Sequence, residues 1–367
     1  MAIRIFTIFV CLKLCMSQNF TALFIFGDSL VDVGNNNYIR TLAKANYKPI
    51  GVDFGKPTGR FTNGRTVGDI IGNSLFYDTF FFSVKGQSLG FQNPPPPYMA
   101  PTTVGPMILR GVNYASGSSG ILKESGANYI GKIAMDTQVE NFAKTRLQII
   151  SSIGVHAAIK LFKNALFTVT TGSNDFINNY YQPHLPKRVS SPKVFTGRMV
   201  STLKRQLTKL YHMGARKIMV ANVPPIGCCP YFRDHNLRVG NKCVGSHNLL
   251  VKQYNDQLKR MLIELKTTLK GSNFVYADVY HIAEDVINNY RSYGFEIVDR
   301  ACCHTPGRHG GLVPCIPHTS ICPDRSKYMF WDWFHVTEAA NTIIAKRVMD
   351  GDLNDVWPIN LRAFSNM

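Results

Sequence analysis

Acidic residues are scarce in this chain. Asp and Glu number 23 against 41 Lys and Arg, so its 367 residues carry a formal charge of +18. Charged residues of both signs make up only 17%, while 45% are hydrophobic. That balance excludes wholesale disorder, which needs low hydrophobicity and high charge. Beyond the N-terminus no apolar run reaches the ~20 residues of a bilayer span, which excludes a polytopic membrane protein. No basic run interleaves with aromatics, so the charge does not read as a nucleic-acid footprint. It suits adsorption to an acidic polysaccharide or another anionic surface. No internal repeat or linker divides the chain, and the one low-complexity stretch is Pro94 to Pro97. One large α/β domain accommodates this length.

Other signatures are missing too. There is no Gly-x-Ser-x-Gly elbow of the α/β-hydrolase type, and the Gly-rich segments lack the Lys of a phosphate loop. His304, His309 and His318 lie among Cys302 to Cys322, but no Cys-x-x-Cys spacing occurs. Zinc is therefore the weaker reading of that region. Neither a metal nor an organic cofactor is expected.

What is present starts with a targeting segment. Met1 to Arg4 opens with a positive charge, Ile5 to Met16 is apolar apart from Thr7 and Lys13, and Ser17 offers a small cleavage residue. Residues 1–17 read as a secretory signal peptide, leaving 18–367 as a single domain. Asn19-Phe20-Thr21 is a glycosylation sequon. Seven cysteines follow the signal, all in the second half: Cys228, Cys229, Cys243, Cys302, Cys303, Cys315 and Cys322. Outside the cell they would form disulfides and leave one thiol over. Sequence proximity suggests Cys228 or Cys229 with Cys243, and Cys315 with Cys322. The expected protein is extracellular, in the cell wall or apoplast, and monomeric.

Thr21–Phe26, Asn164–Thr171, Arg216–Val223 and Phe274–Tyr280 are short apolar runs; Gly27, Gly172 and Pro224-Pro225 close the first three. Such runs suit buried parallel strands. Helical patterns lie between them. Val200, Leu203, Leu207 and Leu210 share one face before Gly214, and Leu250, Tyr254, Leu258, Met261 and Leu265 another before Gly271. Val139 to Ile150 suggests a further helix. Thr337 is a candidate cap for one reaching Asp350. Strand–helix alternation predicts a three-layer α/β/α domain around a parallel sheet. The tail from Asp352 to Met367 is expected to be poorly ordered.

Reactive groups stand where ligands of such sheets bind, at strand C-terminal ends. The first run leads into Gly27-Asp28-Ser29-Leu30, and the second into Gly172-Ser173-Asn174-Asp175. Near the C-terminus Asp332 and His335 stand three apart among aromatics. A serine hydroxyl needs a neighbouring base, and the base needs a group that holds its tautomer. Ser29, His335 and Asp332 are the residue types for those tasks.

Five ordered blocks then carry a resemblance: Phe24 to Asn37, Phe61 to Asp69, Gly111 to Ser116, Gly172 to Asp175, and Phe330 to His335. From about Phe24 to Met349 the chain resembles the plant GDSL-type esterase/lipases of the SGNH hydrolase superfamily. The resemblance implies a flavodoxin-like fold, with Ser29 as nucleophile, His335 as base and then acid, and Asp332 orienting His335. It implies that Asn174 donates its amide to the oxyanion, together with the N–H groups of Ser29 and of the second block. There the family usually has Gly or Ala where this chain has Ser118. Ser118 can serve if its φ is negative, with Gly117 as the fallback.

Three further departures stand out. Val336 follows the catalytic His where Pro is usual. Cys302-Cys303-His304 replaces Cys-Cys-Gly, so His304 should be exposed. Residues 76–88, and Phe76 to Ser83 above all, look inserted: either an aromatic loop near the substrate cleft or an error of the gene model. Asp28, Asp32 and Asn35 to Asn37 read as residues that order the first loop rather than touch substrate.

The expected protein is a secreted serine ester hydrolase acting on lipid or cell-wall acyl esters. An acyltransferase on the same triad and a non-catalytic wall-binding protein are the alternatives. An imidazole acting as base must be neutral, so the activity optimum should be neutral to mildly alkaline.

Overall fold

The computed structural model describes residues 20–77, 94–182 and 191–367. The expected signal peptide, Asn19 and residues 78–93 lie outside the described residues. Of the inserted segment, Phe76 and Tyr77 close the first helix.

The strands are β1 (Leu23–Gly27), β2 (Leu166–Thr170), β3 (Lys217–Ala221), β4 (Asn273–Ala277), β5 (Ile297–Ala301), β6 (Tyr328–Phe330) and β7 (Val356–Trp357). The helices are α1 (Val67–Tyr77), α2 (Met135–Ile153), α3 (Val155–Asn164), α4 (Ser173–Asp175) and α5 (Pro192–His212). They continue as α6 (Pro230–Asp234), α7 (Gly245–Thr268), α8 (Val279–Asn288), α9 (Glu338–Asp350) and α10 (Leu361–Ser365). The main sheet has the order β1-β2-β3-β4-β7. Its first four strands run parallel, as expected, in a register that aligns Gly27, Thr170, Ala221 and Ala277 at one edge. The antiparallel edge strand β7 departs from the all-parallel expectation.

Strand alternation divides the core into two layers. Phe24, Phe26, Phe167, Val169, Ile218, Val220 and Phe274 belong to the cluster that includes α2, α5 and α7. Leu23, Ile25, Leu166, Met219, Ala221, Val275 and Ala277 join the residues of α1, α9 and α10. Both sheet faces are covered, which is why the strands read as continuous apolar runs.

The helix signals correspond to physical caps. Ser191 Oγ accepts the Val194 N–H ahead of Pro192 in α5, and Thr337 Oγ1 accepts the Ala340 N–H at the start of α9. The fourth apolar run is divided, however. Asp278 accepts the His281 N–H, so the strand stops at Ala277 and Val279 and Tyr280 begin α8.

The tail is also a correction. Val356, Leu361 and Phe364 are buried, Phe364 packs edge-on to Phe20, and Asp355 pairs with Arg347. Apolar burial and an ion pair hold the segment that its terminal position had suggested was loose.

Cys228–Cys243, Cys302–Cys322 and Cys303–Cys315 are bridged, and Cys229 is a buried free thiol. The suggested Cys315–Cys322 pair is therefore overturned. Cys322 N–H donates to Cys302 O, which lays those two segments side by side with Cα atoms 4.9 Å apart. The four cysteines near His304, His309 and His318 are thus all committed to sulfur–sulfur bonds. His304 is exposed.

Candidate active site

The site stands at the C-terminal edge of the parallel strands. β1 ends at Gly27, where a Cβ would lie 2.2 Å from Thr170 O, so only glycine lets the chain turn so close to β2. Gln138 on α2 clamps that turn. Its Oε1 accepts the Gly27 N–H at 2.9 Å and its Nε2 donates to Gly27 O at 2.8 Å. Asp28 and Ser29 follow directly.

Ser29 Oγ lies 2.8 Å from His335 Nε2. His335 Nδ1 lies 2.8 Å from Asp332 Oδ2. Asp332 Oδ1 accepts the backbone N–H groups of Phe334 at 2.9 Å and His335 at 2.8 Å. The three-residue spacing therefore closes a turn on its own carboxylate. A carboxylate facing Nδ1 puts the ring proton there, leaving Nε2 to accept from the Ser29 hydroxyl. Phe61 packs on the His335 ring with centroids 5.2 Å apart. Asp332 and His335 are buried and Ser29 is half-buried.

Asn174 reaches the same pocket from α4, directly after β2. Its Nδ2 donates to Ser119 O at 2.9 Å, which uses one of its two N–H bonds. Its Oδ1 accepts from Asn178 Nδ2. Asn178 lies on a π-turn, Phe176–Tyr180, that widens the chain after α4. Such turns often mark functional sites.

The second block is brought here by strand-like pairing. Ile25 N donates to Val112 O, Tyr114 N to Ile25 O and Ser116 N to Gly27 O, so residues 112–116 run beside β1. Gly117 and Ser118 then arrive beside Ser29. Ser118 has φ +66°, so the expected negative φ is overturned, and the condition built on it fails with it: in this left-handed conformation its N–H still has no acceptor among the described residues. That left-handed conformation explains why Gly is usual at this position.

Gly117 is not a replacement donor. Its N–H is committed to Asp32 Oδ2 at 2.9 Å. Its lack of a side chain serves packing instead, since a Cβ would meet the Phe61 ring at 2.5 Å. Among the described residues neither the Ser29 N–H nor the Ser118 N–H has an acceptor.

Two buried carboxylates staple these loops. Asp32 Oδ1 accepts from Gly34 N and Asn35 N at 2.7 and 2.8 Å. Asp175 accepts from Ile121 N, Leu122 N and Ser125 Oγ at 2.8, 2.9 and 2.8 Å. Burial raises both to about 6 against the lowering effect of those N–H donors. Asn35 Nδ2 donates to Asn113 O and Ala115 O, and Asn36 Nδ2 to Ala43 O and Gly117 O. The first-block Asn and Asp residues thus order loops, as their turn chemistry suggested. Asp28 Oδ1 accepts the Leu30 N–H at 3.0 Å, but its buried Oδ2 has no partner among the described residues. Burial pushes Asp28 up to about 7, against the lowering effects of the Leu30 N–H and His335.

Ser29, Ser118, Asn174 and His335 share a pocket of about 330 Å³. Sequence reasoning missed Asn178, Gln138 and the stapling role of Asp175. Each acts through a partner distant in sequence or through a local π-turn. The visible signal was only the density of Asn and Asp after β2. Trp333 lines the pocket, whereas Trp331 packs among the disulfides. Val336 O accepts from Thr62 Oγ1, so the position that usually holds Pro helps join the Phe61–Asp69 block to the last.

A family model described as GDSL-like lipase/acylhydrolase matches residues 23–348. GDSL esterase/lipase At4g16230 of Arabidopsis thaliana is 51% identical over 359 residues, covering 97% of this chain and 94% of that relative. GDSL esterase/lipase At3g50400 is 46% identical, covering 93% and 90%, and GDSL esterase/lipase 7 is 41% identical, covering 93% and 90%, both from the same plant. No helix among the described residues is long and apolar enough to cross a membrane. A serine–histidine–aspartate chain at the edge of a mostly parallel sheet, inside blocks that match throughout, leads to one conclusion: this chain belongs to the GDSL lipase/acylhydrolase family.

Proposed function

We propose that this protein is a secreted serine ester hydrolase that cleaves carboxylic esters, of lipids or cell-wall acyl groups, through an acyl-enzyme on Ser29. The observation that carries the reading is the unbroken run of hydrogen bonds from Asp332 through His335 to Ser29, opening on a pocket. His335 Nε2 takes the hydroxyl proton as Ser29 Oγ attacks the ester carbonyl carbon. The ring returns that proton to the departing alkoxide, and the alcohol leaves. Water then attacks the acyl-Ser29 carbonyl with His335 again as base. Ser29 recovers its proton and the carboxylic acid leaves. Asp332 holds the ring tautomer and faces the imidazolium formed in each step.

The oxyanion is held by the N–H groups of Ser29 and Ser118 and by the second amide N–H of Asn174. Donors of this kind are worth roughly 3–4 kcal/mol each. Asn178 is a positioning residue that fixes which way the Asn174 amide faces. The mature chain is one domain from residue 18, glycosylated at Asn19, acting as a monomer outside the cell. Three disulfides support an oxidising compartment.

The test is hydrolysis of p-nitrophenyl acetate by the secreted protein beside a folded Ser29→Ala control. Ser29-dependent release of nitrophenol and acetate is expected. Equal activity in both proteins, or none in either, overturns the reading. Added alcohol distinguishes hydrolysis, which yields free acid, from acyl transfer, which yields a new ester.

A further inference from the structure

A second cavity, of about 90 Å³, lies against the pocket that holds Ser29. Leu30, Pro224, Cys229 and Phe334 line both spaces. Leu30 directly follows Ser29 and Phe334 directly precedes His335, so the lining common to both spaces includes the neighbours of the two reacting residues. The rest of the cavity lies on the sheet face covered by α1 and α9. There Ala221 and Ala277 are small where the facing cluster has Val220 and Tyr276, and Ala283 of α8 adds a third small lining residue. Apart from Thr170, Asn341 and the Cys229 thiol its lining is apolar, and one Asn341 amide N–H is spent on Arg65 O at 2.9 Å. Burial holds Cys229 as the neutral thiol, pushed up to about 12, so no charge faces this space. A space with so few free polar partners does not suit water, and empty voids of this size are few in close-packed cores.

We infer that this cavity is the acyl-chain site of the enzyme and selects esters of medium-chain, unbranched fatty acids. The inference rests on the hydrolase reading above. With the carbonyl oxygen toward Asn174 and Ser118, the chain passes Leu30 and Phe334 into the space bounded by α8 and α9. At about 90 Å³ the cavity takes an acyl chain of limited length. A short acyl group leaves it unfilled, and a much longer one meets its end. Burial of each methylene favours binding, so specificity rises with length until the cavity is full.

The experiment measures kcat/KM for p-nitrophenyl acetate, octanoate and palmitate, with octanoic acid binding to Ser29→Ala followed by calorimetry. Ala283 and Ile287 line only the apolar cavity. Octanoate is expected to exceed both acetate and palmitate at least tenfold. Ala283→Phe should reduce octanoate cleavage tenfold or more and abolish octanoic acid binding, with acetate cleavage within about threefold. Ile287→Ala should move the optimum to a longer chain. A chain-length profile unchanged in both variants, with acetate cleavage intact, overturns the inference and leaves the hydrolase standing. Octanoic acid binding that Ala283→Phe removes, in a protein that cleaves no ester, overturns the hydrolase reading while the chain site stands.

Discussion

Asp32 Oδ2 accepts the N–H of Gly117 at 2.9 Å, and this bond decides which amide of the neighbouring turn is left to face the pocket. With Gly117 spent, Ser118 offers the free N–H, at the cost of a left-handed backbone. Its side chain adds no hydrogen bond, since the buried Ser118 Oγ has no partner among the described residues. Ser118→Gly should therefore keep kcat/KM within about threefold and leave the protein no less stable. Ser118→Val should lose about 1–2 kcal/mol, because a β-branched residue resists positive φ. Thermal melts and ester kinetics on the two variants check this.

Asn178→Ala removes one of the two bonds that orient Asn174. The Ser119 O contact alone then holds the amide, and a donor misplaced by about 1 Å costs up to ~10²-fold. A fall in kcat of about ten- to a hundredfold with KM little changed is expected. An equal fall in stability with unchanged kcat would reduce Asn178 to a packing residue.

Asp332→Asn separates position from chemistry. The amide oxygen can still accept from Phe334 and His335, so the turn persists. The amide at Nδ1 presents a donor where a carboxylate is needed, which inverts the ring tautomer. A loss of about 10⁴ in kcat is expected, from the cost of the wrong tautomer in serine hydrolases. Unchanged melting together with that kinetic loss is the decisive pair of readings.

Asp28 couples stability to pH. Burial raises it from 3.8 to about 7 in the folded protein. Between those values the folded state holds a proton that the unfolded chain has lost. Stability therefore falls as pH rises from about 4 to 7, and above that range the loss is complete, of order 4 kcal/mol. Melting temperature measured from pH 4 to 8 should decline less steeply in Asp28→Asn than in the parent protein.

The Cys302–Cys322 bridge closes a 20-residue separation next to Trp331, the residue before Asp332. Replacing both cysteines by alanine should cost about 3 kcal/mol, mainly by releasing loop entropy in the unfolded chain. Denaturant melts of the double variant give the figure. Replacing Cys315 and Cys322 together, the pair suggested by proximity alone, should cost more, because it breaks two bridges.

Much of this protein is local enough to be visible in its amino-acid order. The apolar runs became β1 to β4 because both sheet faces are covered, and Gly and Thr punctuation marked the helix ends. Ser29, Asn174, Asp332 and His335 were legible because each stands in a short motif at a strand end or in a turn it closes itself. The tertiary structure decided what depends on groups far apart in the chain. Cys302 found Cys322 rather than leaving it to Cys315, and the tail found β4, Phe20 and Arg347. Gly117 lost its N–H to Asp32 while Ser118 took positive φ. The apolar cavity arises where small residues from separate strands and helices meet. Periodicity and turn chemistry act over a few residues. Pairing, burial and the direction of a single N–H depend on which surfaces packing brings together.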